Sequence, residues 1–332
     1  MLKNSLITSS DIFAISNQKQ FEKIALKVFR YQYENNLVYQ EFCNFLKVDV
    51  QKVKSIYQIP FLPIQFFKSH EVVSNTNAIE ETFTSSGTTG MITSKHYIWS
   101  EEWYLTHSLR IFESNYGSIK DFHVLALLPA YLERKGSSLV SMANHFIEES
   151  NSGHSGFYLY NQEELLKKME MLNGDTKKVL LLGVTFALLD LAESGKSFSP
   201  PQNLVVMETG GMKGRRKEMI REEVHDILKP FFGMENIHSE YGMTELMSQA
   251  YSKGQGKYTL PDSMRVILRD VNDPLSLSKR SQGGINVIDL ANFHSCAFLE
   301  TQDLGRFDEN GMLEVLGRFD NSEIRGCNLL VQ

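Results

Sequence analysis

The feature that most restricts how this chain can fold is an alternation of elements in its middle third. Residues 163–172 carry helical patterning and end at Asn173-Gly174, a pair suited to the left-handed backbone that closes a helix. Residues 178–184 read as a strand, in which 179–184 are a short apolar run with the character of a buried strand. Thr185 is placed to cap a helix over 186–194 that stops at Gly195. Pro200-Pro201 breaks the chain, and 203–209 reads as a second strand. A helix over 216–228 follows, with Met219, Ile220, Val224, Ile227 and Leu228 inward and Pro230 and Gly233 at its end. Strand–helix–strand–helix order requires crossover connections, and therefore a parallel sheet of the α/β type.

The flanks read differently. Residues 17–47 are helical, with Phe21, Ile24, Ala25, Val28 and Phe29 on one face. In Ile59-Pro60-Phe61-Leu62-Pro63-Ile64 two prolines three apart forbid a regular helix and favour an extended connector lying against a core. Beyond 260 the style changes to short strands at 264–270, 285–290, 297–301 and 312–316, separated by turn signals. The expected organisation is an N-terminal helical segment and connector over 1–80, an α/β core over 81–260, a small β-rich subdomain over 261–320 and a tail over 321–332.

Composition excludes several classes. Hydrophobic residues make up 42% of the 332 residues and charged residues 22%, ordinary globular usage that supports a sizeable core. Acidic residues outnumber basic ones 40 to 34 with no Lys/Arg block, so nucleic acid is not an expected partner. Three cysteines at wide spacing, Cys43, Cys296 and Cys327, do not form a disulfide framework and suit a reducing compartment. The N-terminus lacks a leader pattern and no apolar run approaches 18 residues, so the expectation is a cytoplasmic protein without a membrane span.

Four short segments carry chemistry. Thr84-Ser85-Ser86-Gly87-Thr88-Thr89-Gly90 is an unbroken run of hydroxyls and glycines. Such a run lets backbone approach an anion closely, although it also suits a Ser/Thr linker. Lys95 follows and could meet a phosphate charge. In Tyr241-Gly242-Met243-Thr244-Glu245 the tyrosine offers a flat face to a base and Gly242 permits close backbone approach. Thr244 and Glu245 offer a hydroxyl and a carboxylate to phosphate and a hard cation, while a strand-end turn explains the segment equally. The other two, Glu300-Thr301-Gln302-Asp303-Leu304-Gly305-Arg306 and Gly317-Arg318-Phe319-Asp320, each place a polar group after a strand and read separately as turns.

In this order along one chain, the four segments resemble the adenylate-forming enzyme superfamily. Ile59-Pro60-Phe61-Leu62-Pro63-Ile64-Gln65-Phe66-Phe67-Lys68, Glu208-Thr209-Gly210-Gly211-Met212-Lys213 and the ending Ser322-Glu323-Ile324-Arg325-Gly326-Cys327-Asn328-Leu329 narrow the resemblance. Together they are similar to the acyl-protein synthetases of bacterial luminescence operons, relatives of the phenylacetate–CoA ligases. The resemblance covers roughly 57–330. It implies the large-domain core of an adenylate-forming enzyme, parallel sheets flanked by helices, without the small mobile C-terminal domain.

What the resemblance implies for the site is specific. The 84–90 loop wraps the pyrophosphate of ATP. Gly210 and Gly211 back the adenine and Tyr241 stacks on it. Thr244 contacts the α-phosphate, Glu245 holds magnesium, and Asp303 and Arg318 bind ribose hydroxyls. The superfamily's carboxylate-bridging lysine has no counterpart, since no lysine follows Lys279; Lys213 and Lys95 are the substitutes, or else solvated surface lysines. The implied reaction is ATP-dependent activation of a fatty carboxylic acid and transfer to Cys327, which serves a reductase or acyltransferase partner. An inert tail cysteine is the alternative. Cys43 and Cys296 read as buried fillers. Rival readings are an acid–CoA or acyl-carrier ligase and a non-catalytic nucleotide-binding module.

Overall fold

In the computed structural model, residues 7–74, 79–85, 92–128, 136–159, 161–212, 216 and 219–318 are described. The N-terminal region holds helices α1 (Ser9–Phe13), α2 (Gln18–Asn35) and α3 (Leu37–Phe45), the two-residue strand β1 (Leu62–Pro63) and α4 (Phe66–Ser69). A hairpin of β2 (Glu81–Thr84) and β3 (Lys95–Ile98) follows, then α5 (Glu101–Tyr116). The alternating part runs β4 (Phe122–Leu127), α6 (Ser138–Glu149), β5 (Gly156–Tyr158), α7 (Gln162–Met171), β6 (Lys178–Val184), α8 (Thr185–Ala192), β7 (Leu204–Thr209), α9 (Arg221–Phe232) and β8 (His238–Tyr241). The chain then turns to strands: β9 (Ala250–Ser252), β10 (Lys257–Thr259), β11 (Met264–Arg269), β12 (Gln282–Asp289), β13 (Phe298–Phe307) and β14 (Leu313–Arg318).

All strands except the β2–β3 hairpin join one sheet, ordered β11-β12-β13-β14-β10-β9-β8-β7-β6-β4-β5, with β1 added beside β13. The half from β5 to β8 is parallel, and from β8 onward the pairings are antiparallel. The parallel strands are covered on both faces, which explains their unbroken apolar runs: every residue of β4 and all of β6 after Lys178 are buried. The fold is thus the α/β class expected from the alternation, with helices flanking the large sheet.

Three local expectations are corrected. The helical stretch over 17–47 is two helices, because Asn36 leaves helical geometry and its side chain accepts from the Tyr39 N–H to start α3. Thr185 does not cap α8. It lies inside the helix, and its hydroxyl donates to Glu208 Oε2 at 2.9 Å and to the Gly210 carbonyl at 2.8 Å. The helix expected over 216–228 starts only at Arg221, where Glu223 accepts from the Ile220 N–H. It continues through Pro230, which the last turn accommodates, and closes at Gly233 in left-handed backbone.

The proline-bearing connector is extended as expected. Leu62 and Pro63 pair in parallel with Leu299 and Glu300, and the Ile64 N–H reaches the Glu300 carbonyl at 3.0 Å. Proline is tolerated there because β1 is a short strand off the main path of the sheet.

Candidate functional site

The candidate residues gather at the carboxyl ends of β7 and β8, the edge where ligands bind in parallel α/β sheets. The two strands pair from Met207↔His238 to Thr209↔Glu240, so Gly210-Gly211 leaves β7 beside Tyr241, the last residue of β8. Gly210 adopts a φ of 70°, which favours glycine. At Gly242 the constraint is space: a Cβ would meet Glu240 Oε1 at 2.3 Å, and Glu240 is itself held by the Thr209 hydroxyl. A buried carboxylate underpins this edge. Burial pushes the Glu208 carboxyl up, but its hydrogen bond with His225 and the Arg221 guanidinium, 3.2 Å away, outweigh burial and hold it at about 2.

Tyr241 donates its hydroxyl hydrogen to Asp303 Oδ2 at 2.8 Å. Asp303 pairs in the ladder with Arg318, whose Nε lies 3.7 Å from its Oδ1. In the sheet order β9, β10 and β14 stand between β8 and β13. Neighbouring strands are spaced about 4.8 Å apart, so a flat sheet would hold β8 and β13 roughly 19 Å apart. The bond exists because the sheet curls here and brings its antiparallel half over the end of β8. Asp303 lies within β13 and Arg318 is the last residue of β14, so both belong to strands and not to the turns after them. Burial raises the Asp303 carboxyl, and Arg318, Tyr241 and Arg269 counter it. The Arg318 side chain is 82% exposed, so it can reach a ligand beside Asp303.

The end of the 241–245 segment faces the β2–β3 hairpin. Glu245 is 6% exposed, and burial raises its carboxyl against a hydrogen bond with Ser94 and the charges of Arg318 and Lys68. Among the described residues no three His, Cys, Asp or Glu side chains converge as a cage for a metal. One buried carboxylate beside the base of the 84–90 segment fits magnesium, which binds with one or two carboxylates and completes its shell with phosphates and water. The base of the loop is built by Thr84, whose N–H donates to the Gly136 carbonyl at 2.7 Å, and by Ser85, whose Oγ accepts from the Ser94 N–H at 2.8 Å. Lys95 stands exposed opposite Thr84 in the hairpin register.

Several residues singled out in the sequence lie outside the described residues: Ser86, Gly87, Thr88, Thr89 and Gly90 of the loop, Lys213, and Cys327 with the rest of the tail. The other two cysteines are fully buried. Burial pushes the Cys43 thiol up to about 12 and the Cys296 thiol higher still. Sequence reasoning missed Ser94, His96, Asn292 and Lys68, which surround Thr244 and Glu245. Only Lys68 lay in a segment already singled out.

Comparison with known proteins decides the family. The profile for "Acyl-protein synthetase, LuxE" matches residues 2–98. A long-chain-fatty-acid–luciferin-component ligase of Photorhabdus luminescens is 38% identical over 92 residues, 26% of this chain and 78% of that protein. The chain belongs to the acyl-protein synthetase family. As a member it is an enzyme, a ligase of the acid–thiol type. The ligase of the same name from Vibrio harveyi extends the likeness to 96% of this chain and 89% of its own length, at 23% identity. Among solved structures, 2-hydroxyisobutyryl-CoA ligase in complex with 2-HIB-AMP and CoA superposes with a TM-score of 0.68 over 91% of this chain and 70% of that one, at 14% identity. ATP-bound MatB from Rhodopseudomonas palustris gives 0.52 over 71% of this acyl-protein synthetase, which spans 47% of MatB, at 17% identity. These likenesses show the adenylate-forming fold.

Proposed function

We propose that this protein uses ATP to convert a long-chain fatty acid into its acyl-adenylate and then passes the acyl group to the thiol of Cys327. The observation that carries the reading is the convergence of Tyr241, Asp303, Arg318, Thr244 and Glu245 at one end of the curled sheet. The relatives named for long-chain fatty acids point to the acid.

Adenine lies against Tyr241, with Gly210-Gly211 and Gly242 allowing close backbone approach. Asp303 accepts from ribose hydroxyls and Arg318 donates beside it. The phosphates rest on the 84–90 loop, and the Thr244 hydroxyl faces the α-phosphate. Glu245 and the phosphates would hold magnesium, which would supply positive charge at the attacked phosphorus and the leaving group. The acid's carboxylate oxygen forms a bond to the α-phosphorus as the bond to pyrophosphate breaks. Lys213 draws the carboxylate in, with Lys95 as the substitute. In the second step the Cys327 thiolate attacks the acyl carbon, a C–S bond forms, and AMP leaves with the electrons of the broken C–O bond. The buried, proton-holding thiols of Cys43 and Cys296 support Cys327 as the acceptor. A fatty-acyl reductase or acyltransferase then takes the thioester.

The test is exchange of labelled pyrophosphate into ATP. We expect exchange that depends on a long-chain fatty acid and on magnesium. A protein that binds ATP but shows no acid-dependent exchange would be a binding module, and the proposal would fall.

A further inference from the structure

We infer that His96 and Asn292 are positioning residues that lock the backbone of Thr244 and Glu245 onto the hairpin carrying the phosphate loop. This rests on the nucleotide reading above and adds two residues to it. His96 lies in β3, which begins five residues after Gly90, and its side chain is fully buried. Its Nδ1 is 2.8 Å from the Thr244 carbonyl; a carbonyl only accepts, so Nδ1 donates. With the proton of the neutral ring on Nδ1, the 3.0 Å approach of Nε2 to Asn292 Oδ1 is a contact without a donor, and Asn292 Nδ2 donates to the Glu245 carbonyl at 2.8 Å. Two consecutive carbonyls of the segment are therefore gripped, one by each member of a contacting pair.

Both members are themselves anchored. The Asn292 turn is held by the fully buried Gln32 of α2, whose Nε2 lies 3.1 Å, 3.0 Å and 3.1 Å from the carbonyls of Asn292, Phe293 and Ser295. Just beyond the segment, Asp289 accepts from the N–H of Met247 at 2.8 Å and of Ser248 at 2.9 Å. The backbone from 244 to 248 is thus fixed at four points, and the direction of the Glu245 carboxylate follows from it. Ser94, two residues before His96 and just ahead of β3, is a hydrogen-bond partner of that carboxylate, so the stretch 94–96 bears on both the loop base and the position of Glu245.

Packing alone does not account for this arrangement. An aliphatic residue could fill the space of the His96 ring, which meets Phe67 edge-on at 5.6 Å. The chain instead buries an imidazole and an amide, whose desolvation is unfavourable unless their hydrogen bonds are made. Those bonds go to the two residues expected to meet the phosphate and the metal.

The experiment compares wild type, His96→Phe, Asn292→Asp, Glu245→Gln and the His96→Phe/Glu245→Gln pair. His96→Phe keeps a ring of similar size without donors, and Asn292→Asp keeps shape but removes the donor to Glu245. Affinity for Mn2+-ATP is read by electron paramagnetic resonance, alongside the magnesium concentration for half-maximal pyrophosphate exchange and the thermal unfolding midpoint. We expect both single variants to weaken Mn2+-ATP binding and raise the magnesium requirement about tenfold or more. We also expect His96→Phe to add little once Glu245 is already Gln, because His96 acts on the metal only through the placement of that carboxylate. Folded variants with wild-type Mn2+-ATP affinity and magnesium requirement would overturn the inference and leave a structural role. If His96→Phe does not fold, the isosteric Asn292→Asp decides by the same readings. Wild type that binds no Mn2+-ATP would instead overturn the nucleotide reading, and this inference with it.

Discussion

Tyr241 gives its phenolic hydrogen to Asp303 across 2.8 Å, joining positions 62 residues apart on strands with three others between them in the sheet. The contact ties the parallel half of the sheet to its antiparallel half where a nucleotide would bind. Tyr241→Phe removes the donor and leaves a buried carboxylate short of a partner. The expected cost is about 1–3 kcal/mol of stability. Binding of ATP should weaken as well, since Asp303 loses its orientation. Thermal unfolding and an ATP titration of pyrophosphate exchange check both, and no change in either would detach this pair from the site.

Glu208 should give the fold an acid-sensitive contribution. Its carboxyl sits near 4.5 when unperturbed and is held at about 2 in the folded protein by His225 and Arg221 against burial. A lowered folded pKa means stability that is complete above the unfolded value and is lost as pH falls from 4.5 through 2. Glu208→Gln should therefore be less stable than wild type near neutrality, by about 3 kcal/mol for a broken buried pair. The gap should close on acidification through that window. Denaturant unfolding measured across pH decides, and a gap that stays constant would contradict the assignment.

Glu245→Gln keeps the shape of the side chain and removes its charge. Because the group is buried next to the loop base, the loss should fall on catalysis. Pyrophosphate exchange should drop about 100-fold or more, the scale of losing one group that stabilises transition-state charge. Burial raises the Glu245 carboxyl, so this group opposes folding once it ionises: its contribution is complete below the unfolded carboxylate value and is lost as pH rises through the raised one. The variant should consequently unfold no earlier than wild type at neutral pH. Normal exchange in the variant would remove the metal from this position.

Gly242→Ala tests close packing at the strand end. The added methyl would sit 2.3 Å from Glu240 Oε1, and Glu240 cannot swing away without giving up the Thr209 hydroxyl. Overpacking of this kind costs about 1–3 kcal/mol. The displaced Tyr241 should also raise the KM for ATP, measurable by exchange kinetics. A variant with wild-type stability and KM would show that the edge yields easily.

Cys327→Ser should separate the two chemical steps. Acid-dependent pyrophosphate exchange should persist, while labelled fatty acid should no longer become bound to the protein as a hydroxylamine-sensitive thioester. A serine hydroxyl stays protonated at neutral pH, whereas a cysteine is partly thiolate. Unchanged labelling would move the acceptor elsewhere, against the raised thiols of Cys43 and Cys296. Efficient acylation of added CoA with no labelling of wild type would make the protein an acid–CoA ligase.

The sequence by itself determined the features that local chemistry dictates. Strands such as Lys178–Val184 were legible because the part of a strand covered on both faces must be apolar, here everything after Lys178, and the crossover order then required a parallel sheet. The 84–90 and 241–245 segments could be singled out for a proposal because their hydroxyls, glycines and carboxylate are contiguous. Helix limits were less so: the start at Arg221 and the passage through Pro230 follow from what the flanking residues touch, with Arg216 drawn instead to Asp190 and Glu193. Only the tertiary structure decided which distant groups meet. His96 donates to Thr244 across 148 residues, and Gln32 in the N-terminal helix α2 holds the Asn292 turn from 260 residues away. No periodicity records such contacts, because each partner supplies one polar group whose need for a hydrogen bond is met only once the sheet has curled and both are buried.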